Sequence, residues 1–326
     1  MRAITCTELG EPDKLSVVEL EDPVAGAGQV VIDVSFASLN FPDLLTIQGL
    51  YQVRAEPPFV PGFEAAGVVS AVGPGVHAVS VGDRVSAFNT IGAFAEQWVV
   101  DASACIPIPD GVRLDVAASI NIAYGTSYHA LKQRASLSEG ETLLVLGAAG
   151  GVGSAAVEIG SLMGARVIAA ASTDEKLDFC RNLGATETIN YVTEDLRGRI
   201  KEITGGKGVD VIYDPVGSDL SELAFRSIAW KGRHLVIGFA AGDIPSLPLN
   251  LPLLKGASVV GVFWGSFTAH EPNVNVQNIQ EMFDLVLDGR LNPRVTQSFA
   301  LDEYEAAYSV FASRSVQGKV VFAINP

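Results

Sequence analysis

The chain has 326 residues, 48% of them hydrophobic, which suits a globular protein of two domains and excludes a disordered one. The formal net charge is −15 at pH 7, so the protein repels phosphate backbones, and neither nucleic acid nor an anionic membrane is an expected partner. The three cysteines, Cys6, Cys105 and Cys180, are far apart, which predicts neither a disulfide framework nor a thiolate zinc site. The N-terminus lacks a signal-peptide pattern and no apolar run could span a bilayer, so we expect a cytoplasmic protein.

The first third of the chain predicts a β-rich domain. Residues 29–40, QVVIDVSFASLN, alternate between apolar and polar residues, which is the period of a half-buried strand. Short strand-like segments punctuated by glycine follow, among them EAAGVVSAVGPGV and VGDRVSAF. Few helical patterns interrupt them, so strands and turns dominate this part of the protein.

From about Tyr124 the pattern changes to alternating helices and short apolar strands. GTSYHALKQRASL has helical spacing, and the apolar runs TLLVLG, RVIAAAS, VDVIYD and HLVIGF are then separated by helical segments. Fully apolar short runs are typical of parallel strands that are buried on both faces. The spacing therefore predicts a doubly wound parallel sheet. The final segment, QGKVVFAINP, is strand-like again and is expected to return to the first domain.

A glycine-rich turn, AAGGVG at Ala148–Gly153, lies between the first of these strands and a helix. This is the position at which a dinucleotide fold needs glycine, for a tight turn, for close approach of the pyrophosphate and for helix packing. The helix N-terminus adds unpaired N–H groups and the positive end of a dipole. A tight structural connection is the alternative, but the repeated strand–helix units favour a cofactor.

The end of the second strand indicates which nucleotide binds. A site that prefers NAD has an acidic residue there to bind the ribose, whereas this chain has Ala171 and Ser172. Lys176 follows on the next helix and offers a cation to a 2′-phosphate. Alternatively, Ser172 and Glu175 form a helix capping box and Lys176 is only a solvated lysine. We predict NADPH rather than NADH.

Motifs along the whole chain identify a family. In order, they include SLNFPDLLTIQGLY, PGFEAAGVVSAVG, YGTSYHAL, GAAGGVGSAAVEI, LGATETINY, YDPVG and QGKVVF. The sequence resembles the zinc-free quinone oxidoreductase branch, which includes zeta-crystallin, of the medium-chain dehydrogenase/reductase superfamily. The resemblance implies an α/β protein with a GroES-like β domain at 1–123 and 266–326 and a Rossmann NADPH-binding domain at 124–265. It also implies a cofactor cleft between the domains and a homodimer paired through the edge strand in SVVGVFWG.

The resemblance also bears on zinc. Zinc-dependent relatives have a cysteine where this chain has Asn40, and a histidine where it has Phe63 before Glu64. A phenylalanine cannot bind a metal, and an asparagine is a poor zinc ligand. We therefore expect no metal. Without a Lewis acid the hydride acceptor must delocalise its own negative charge, as quinones and conjugated carbonyls do.

The resemblance assigns roles to individual residues. Asn40 is expected to donate a hydrogen bond to the substrate carbonyl, and Tyr51 to supply a proton or stabilise an oxyanion. A purely structural loop position is the alternative for Tyr51. The cofactor-binding residues that the resemblance implies are Thr126, Gly150, Gly151, Val152, Ser172, Lys176, Tyr191, Phe239, Phe263 and Arg314.

Three functions remain open from the sequence. The first is an NADPH-dependent oxidoreductase that transfers hydride to a quinone without a metal. The second is a reductase of C=C bonds in enones, acrylate-type acids or acyl thioesters. The third is an NADPH-binding protein with little catalysis. The sequence does not identify the acceptor, because quinone sites need few specific polar groups.

Overall fold

The computed structural model describes residues 1–52, 54–313 and 315–326. Contacts group them into two compact units, one formed by Met1–Ala123 with Ile279–Pro326 and the other by Tyr124–Asn278. The domain limits drawn above from the resemblance stay a prediction. Within the described residues, no helix combines the length and the apolar composition that crossing a membrane requires.

Fifteen strands are present in the described chain. Their bounds are β1 Arg2–Cys6, β2 Leu15–Glu19, β3 Gln29–Leu39, β4 Glu64–Val72, β5 Arg84–Phe88, β6 Gln97–Asp101, β7 Cys105–Pro107, β8 Thr142–Leu146, β9 Arg166–Ala171, β10 Glu187–Asn190, β11 Val209–Asp214, β12 Ile228–Val236, β13 Ser258–Gly261, β14 Val295–Phe299 and β15 Lys319–Ala323.

Eleven α-helices lie among the described residues, together with short 3₁₀ turns and two π-helical segments. The α-helices are α1 Phe41–Ile47, α2 Leu114–Ala117, α3 Gly125–His129, α4 Gly151–Leu162, α5 Asp174–Asn182, α6 Leu196–Ile203, α7 Ser218–Phe225, α8 Asn250–Lys255, α9 Trp264–His270, α10 Pro272–Leu287 and α11 Tyr304–Ala312. The π-helical segments, Ile120–Tyr124 and Ala130–Arg134, flank α3.

The first unit is built on a seven-stranded sheet. Its order is β14-β15-β3-β4-β5-β7, with β6 paired to β3. The C-terminal strand β15 pairs antiparallel with β3, with Val320 opposite Leu39. The chain end therefore returns to this sheet, as its strand-like sequence predicted. The rings of Phe94 and Phe322 pack edge to face in the core, with centroids 4.9 Å apart.

The second unit is a six-stranded, fully parallel sheet in the order β10-β9-β8-β11-β12-β13. Counted from β8, this is the order 3-2-1-4-5-6 of the Rossmann fold. The apolar runs of β8, β9 and β11 are almost completely buried because helices cover both faces of a parallel sheet. The predicted doubly wound sheet is confirmed. Its chain order reverses between β8 and β11, which is where such folds bind ligands.

Candidate active site

The glycine turn leaves the N-terminus of α4 open. Gly150 is the N-cap residue, no side chain caps the helix, and its first turn carries no acidic residue. The first N–H groups of a helix have no intrahelical partners, so these can bind an anion. Gly153 explains the close packing, since a Cβ there would lie 2.2 Å from the carbonyl oxygen of Gly147. At Gly150 a Cβ would instead point into nearly open space.

The predicted cofactor residues of the second unit gather at one edge of the sheet. The glycine turn follows β8, Ser172 follows β9, Tyr191 follows β10, Phe239 lies beyond β12 and Phe263 lies beyond β13. The carboxyl ends of parallel strands share one edge, so the topology places all of these residues there. Each one's contact with a cofactor stays a prediction.

At the end of β9 the structure corrects one alternative. The N-cap of α5 is Thr173, whose hydroxyl accepts from the backbone N–H of Lys176, so Ser172 is not the capping residue. The Lys176 ammonium instead lies 3.4 Å from the Ser172 hydroxyl. Burial lowers the pKa of Lys176 below its ordinary value. The backbone N–H of Tyr191 donates to the carbonyl of Ala171, which brings Tyr191 beside this strand end.

The other predicted cofactor residues are more scattered. Thr126 is buried in α3, the half-buried Phe239 lies against the backbone of Gly217, and Phe263 is 54% exposed at the N-cap of α9. Arg314 lies outside the described residues.

Sequence reasoning missed Asp214, the last residue of β11. One carboxylate oxygen accepts the N–H groups of Val216 and Gly217 at 2.9 Å, and the other accepts from Ser221 and lies 3.2 Å from His234. Burial alone would raise the pKa of Asp214, but these hydrogen bonds hold it below its ordinary value. Asp214 therefore fixes the turn next to the glycine turn. The DPVG sequence could have signalled such a turn.

In the first unit, Asn40 belongs to a buried network. Its side-chain amide donates to the carbonyl of Ser38 at 3.1 Å and to the Glu64 carboxylate at 2.9 Å. Its Oδ1 accepts from the Lys319 ammonium at 2.5 Å. Both amide protons are thus engaged within the protein. Asn40 as a donor to the substrate carbonyl stays a prediction, and in this structure neither proton is available for it.

Lys319 and Asp43 complete this network. The contacts of Lys319 lie too far apart in sequence for spacing to reveal them, whereas Asp43 stands at the N3 position of a capping box with Asn40. The Lys319 ammonium lies 3.3 Å from the Glu64 carboxylate, and both side chains are almost fully buried. Asp43 caps α1 by accepting the backbone N–H of Asn40 at 2.7 Å, while its Oδ1 has no hydrogen-bond partner. Burial raises the pKa of the Asp43 carboxyl well above its ordinary value.

Tyr51 lies beside this network, and its predicted catalytic role stays a prediction. Its ring packs edge-on against Phe63, the residue before Glu64, with ring centroids 5.4 Å apart. Burial, and secondarily the charge of Asp43, raises the pKa of the Tyr51 phenol. The phenol is consequently protonated at neutral pH and can act as a proton donor.

Comparison with known proteins assigns the family. The model described as "Zinc-binding dehydrogenase" matches residues 151–287, and the model described as "Alcohol dehydrogenase GroES-like domain" matches residues 26–110. The chain is 39% identical to the quinone oxidoreductase-like protein 2 homolog of Nematostella vectensis, over 98% of this chain and 88% of that protein. The chain belongs to the medium-chain dehydrogenase/reductase superfamily. It is accordingly an α/β oxidoreductase with a GroES-like part.

Two further relatives share this superfamily. The 2-haloacrylate reductase of a Burkholderia species is 32% identical, over 96% of this chain and 96% of that protein. The crystal structure of Escherichia coli quinone oxidoreductase complexed with NADPH has a TM-score of 0.92 and 28% identity, covering 99% of this chain and 100% of that one. Both likenesses extend over essentially the whole chain.

Phe63 and Asn40 stand at the positions where the resemblance places zinc ligands in zinc-dependent relatives. Phe63 has no ligand atom, and the Asn40 side chain is committed to Lys319 and Glu64. Across residues 1–52, 54–313 and 315–326, no three His, Cys, Asp or Glu side chains are grouped so that they could hold a metal ion. The Asn40 and Glu64 side chains are both in contact with the Lys319 ammonium.

Proposed function

We propose that this superfamily member is an NADPH-dependent oxidoreductase that transfers hydride to a quinone without a metal ion. The observation that carries the proposal is the open N-terminus of α4 together with the Ser172–Lys176 pair at the next strand end. The first would bind the pyrophosphate and the second the 2′-phosphate. The quinone oxidoreductase of Escherichia coli, complexed with NADPH, supports this assignment.

The proposed absence of zinc rests on the residues themselves. Phe63 has no ligand atom and the amide of Asn40 is engaged, so these two positions do not supply the ligands of a metal ion that would stabilise an alkoxide. NADPH supplies the hydride when bound. The protein has to orient the acceptor and protonate the anion that forms, and a quinone spreads that charge over its own ring.

Tyr51 is the proposed proton donor. It is half-buried, packs on Phe63 and stays protonated at neutral pH. Transfer of its phenolic proton to the oxygen anion of the hydroquinone monoanion, or to the α-carbon of an enolate, would leave a phenolate, which solvent then reprotonates. We expect Tyr51→Phe to lower kcat roughly a hundredfold if the hydroxyl donates, with little change in NADPH affinity. An unchanged kcat removes Tyr51 from the mechanism.

The experiment that tests the proposed function is an acceptor panel. Purified protein is mixed with NADPH and 1,4-benzoquinone, 9,10-phenanthrenequinone, 2-chloroacrylate or a crotonyl thioester, and loss of reduced nicotinamide is followed by absorbance. Turnover of the quinones that survives a chelator supports the proposal. Turnover that requires zinc contradicts it, and so does tight NADPH binding without any turnover, which supports a binding protein with little catalysis.

Reduction of a C=C bond is the second candidate function. The relative named 2-haloacrylate reductase and the protonated Tyr51 favour it, because reducing an activated alkene needs one hydride and one proton at adjacent carbons. The two candidates differ in the panel, where preferential turnover of 2-chloroacrylate or the thioester selects this one. A Tyr51→Phe variant should then lose alkene reduction more than quinone reduction.

We further propose that the protein is a homodimer paired through β13. Among the described strands, β13 pairs only with β12, which leaves its other edge open. The exposed apolar side chains nearby include Val259 on β13, Trp230 on β12 and Leu253 on α8, at 50%, 67% and 79% exposure. Light scattering should give a dimer for the wild type and a monomer for Val259→Asp. A wild-type monomer contradicts the proposal.

A further inference from the structure

Two buried hydroxyl groups lie behind the glycine turn. The Ser127 hydroxyl is 2.9 Å from the carbonyl oxygen of Val152, and it is 2.8 Å from the Tyr213 hydroxyl. Ser127 and Tyr213 are both completely inaccessible to solvent. A helix residue and a strand residue are thus joined to the first turn of α4.

The hydrogen-bond directions follow from the number of protons. A carbonyl oxygen only accepts, so the single Ser127 proton is donated to Val152. The Ser127 oxygen must then accept the proton of Tyr213. Burial raises the pKa of Tyr213, which keeps the phenol protonated as a donor. The result is one directional chain, from Tyr213 through Ser127 to Val152.

The two hydroxyl groups in this series of hydrogen bonds belong to different elements of the unit. Tyr213 belongs to the central strand β11, in register with Val145 of β8. Ser127 lies in α3, a helix that packs against α4. Strand β8 leads directly into the glycine turn. The hydrogen bonds of Tyr213 and Ser127 therefore connect the end of that turn, at Val152, to the neighbouring strand β11.

The turn needs such a tether for a physical reason. Gly150 and Gly151 restrict the backbone little, and no side chain caps α4. In two other helices of this unit a side-chain cap restrains the first turn, Thr173 in α5 and Asp195 in α6. A side-chain cap on α4 would occupy the N–H groups that an anion needs. A hydrogen bond to a carbonyl of the same turn restrains it while leaving the N–H groups unoccupied.

We infer that Ser127 and Tyr213 are positioning residues that hold the first turn of α4 in place for the dinucleotide pyrophosphate. The inference rests on the proposed function, because it assumes that the turn binds NADPH. Neither residue touches the cofactor in this role. Ser127 acts on Val152 directly, and Tyr213 acts through Ser127.

The test measures cofactor affinity rather than activity. NADPH binding is followed by nucleotide fluorescence, and adenosine 2′-monophosphate, which lacks the pyrophosphate, is measured by competition. For Ser127→Ala we expect the Kd of NADPH to rise roughly fivefold to tenfold, with the Kd of adenosine 2′-monophosphate unchanged. Tyr213→Phe leaves the Ser127–Val152 bond, so about a twofold rise is expected. The double variant should match Ser127→Ala, since Tyr213 acts through Ser127.

A control variant separates positioning from general stabilisation. The Thr186 hydroxyl also donates to a backbone carbonyl, that of Val167, at 2.9 Å, but at the opposite, amino-terminal edge of the sheet. Thr186→Val should leave both affinities unchanged. Equal losses of NADPH and adenosine 2′-monophosphate in Ser127→Ala would overturn the inference, and so would unchanged NADPH affinity. If Ser127→Ala does not fold, Tyr213→Phe decides by the same comparison. A wild type that does not bind NADPH refutes the proposed function instead, and the inference with it.

Discussion

Two polar regions of this protein handle their hydrogen-bonding groups in opposite ways. In the first unit, Asn40, Glu64 and Lys319 are buried and bonded to one another. In the second unit, the glycine turn leaves the N-terminus of α4 without a cap, and Lys176 lies beside a hydroxyl at a strand end. The side chains of the first region are bonded within the protein, whereas the second is the proposed binding site for the cofactor phosphates.

This difference in hydrogen bonding indicates which of the two regions is the better candidate for binding the cofactor. Buried polar groups must find partners, and a network whose members are bonded to one another has little left to offer a ligand. An open helix N-terminus is stable in water and gains most when an anion replaces that water. We therefore expect substitutions in the first region to change chiefly the free energy of unfolding, and substitutions in the second to change chiefly NADPH affinity.

The largest effect is expected for Lys319→Met. Removing this ammonium leaves the buried Glu64 carboxylate without a counter-ion, with only the N–H groups of Asn40 and Ile122 still donating to it. This should lower the free energy of unfolding by about 3–5 kcal/mol. Urea denaturation measures the loss. Glu64→Gln combined with Lys319→Met removes both charges and should recover part of it.

The matched control for Lys319→Met is Lys14→Met. Lys14 lies 3.6 Å from Glu8 in the same unit, but both side chains are largely exposed. Breaking this pair should cost less than about 1 kcal/mol. If the two variants lose the same stability, burial of the Lys319–Glu64 pair does not make it more important for stability than an exposed pair.

The second effect is the loss of NADPH affinity in Lys176→Ala. A charge-assisted contact to the 2′-phosphate contributes about 1.5–3 kcal/mol, so the Kd of NADPH should rise roughly tenfold to a hundredfold. The Kd of NADH, which lacks that phosphate, should stay the same. Lys201→Ala, on α6 of the same unit, serves as the control and should change neither. Equal losses for both cofactors would show that Lys176 does not bind the 2′-phosphate.

A third comparison tests the close packing of the glycine turn. In Gly153→Ala the new methyl group would lie 2.2 Å from the Gly147 carbonyl oxygen and 2.9 Å from the Cα of Ala148. The helix must shift, so we expect a loss of about 1–3 kcal/mol in unfolding free energy. Gly150→Ala places its methyl 3.5 Å from the nearest atom and should change stability by less than about 0.5 kcal/mol. Thermal denaturation that ranks the two variants in the reverse order contradicts this account.

The sequence predicts features that depend on neighbouring residues better than features that depend on residues far apart in the chain. The parallel sheet and the glycine turn arise from local patterns, namely apolar strands and turn residues a few positions apart. Such patterns can be recognised in the sequence, so both features could be predicted. The Lys319–Asn40 bond joins residues 279 positions apart, so no local pattern reveals it. The Ser127–Tyr213 bond joins residues 86 positions apart and is hidden in the same way. The turn at Asp214 is local instead, and its DPVG sequence could have signalled it. The capping alternative for Ser172 failed by one residue, since Thr173 offers the same chemistry at the next position.

The last comparison concerns how the stability of the first region responds to pH. Burial raises the pKa of Asp43, so the folded protein binds this proton more tightly than the unfolded chain does. The stability that protonated Asp43 contributes is fully present below the pKa that this carboxyl has in the unfolded chain. It is lost as the pH rises through the pKa of Asp43 in the folded protein, and the free energy of unfolding then falls by at most about 1.4 kcal/mol per pH unit. Asp43→Asn keeps an oxygen for the Asn40 N–H and cannot ionise, so it should remove this loss and leave the protein more stable than the wild type at neutral pH. Glu64 and Lys319 remain in the variant, and urea denaturation from about pH 4 to about pH 9 isolates the contribution of Asp43. An unchanged slope would place the titrating group elsewhere, whereas NADPH affinity should not respond to this substitution at all.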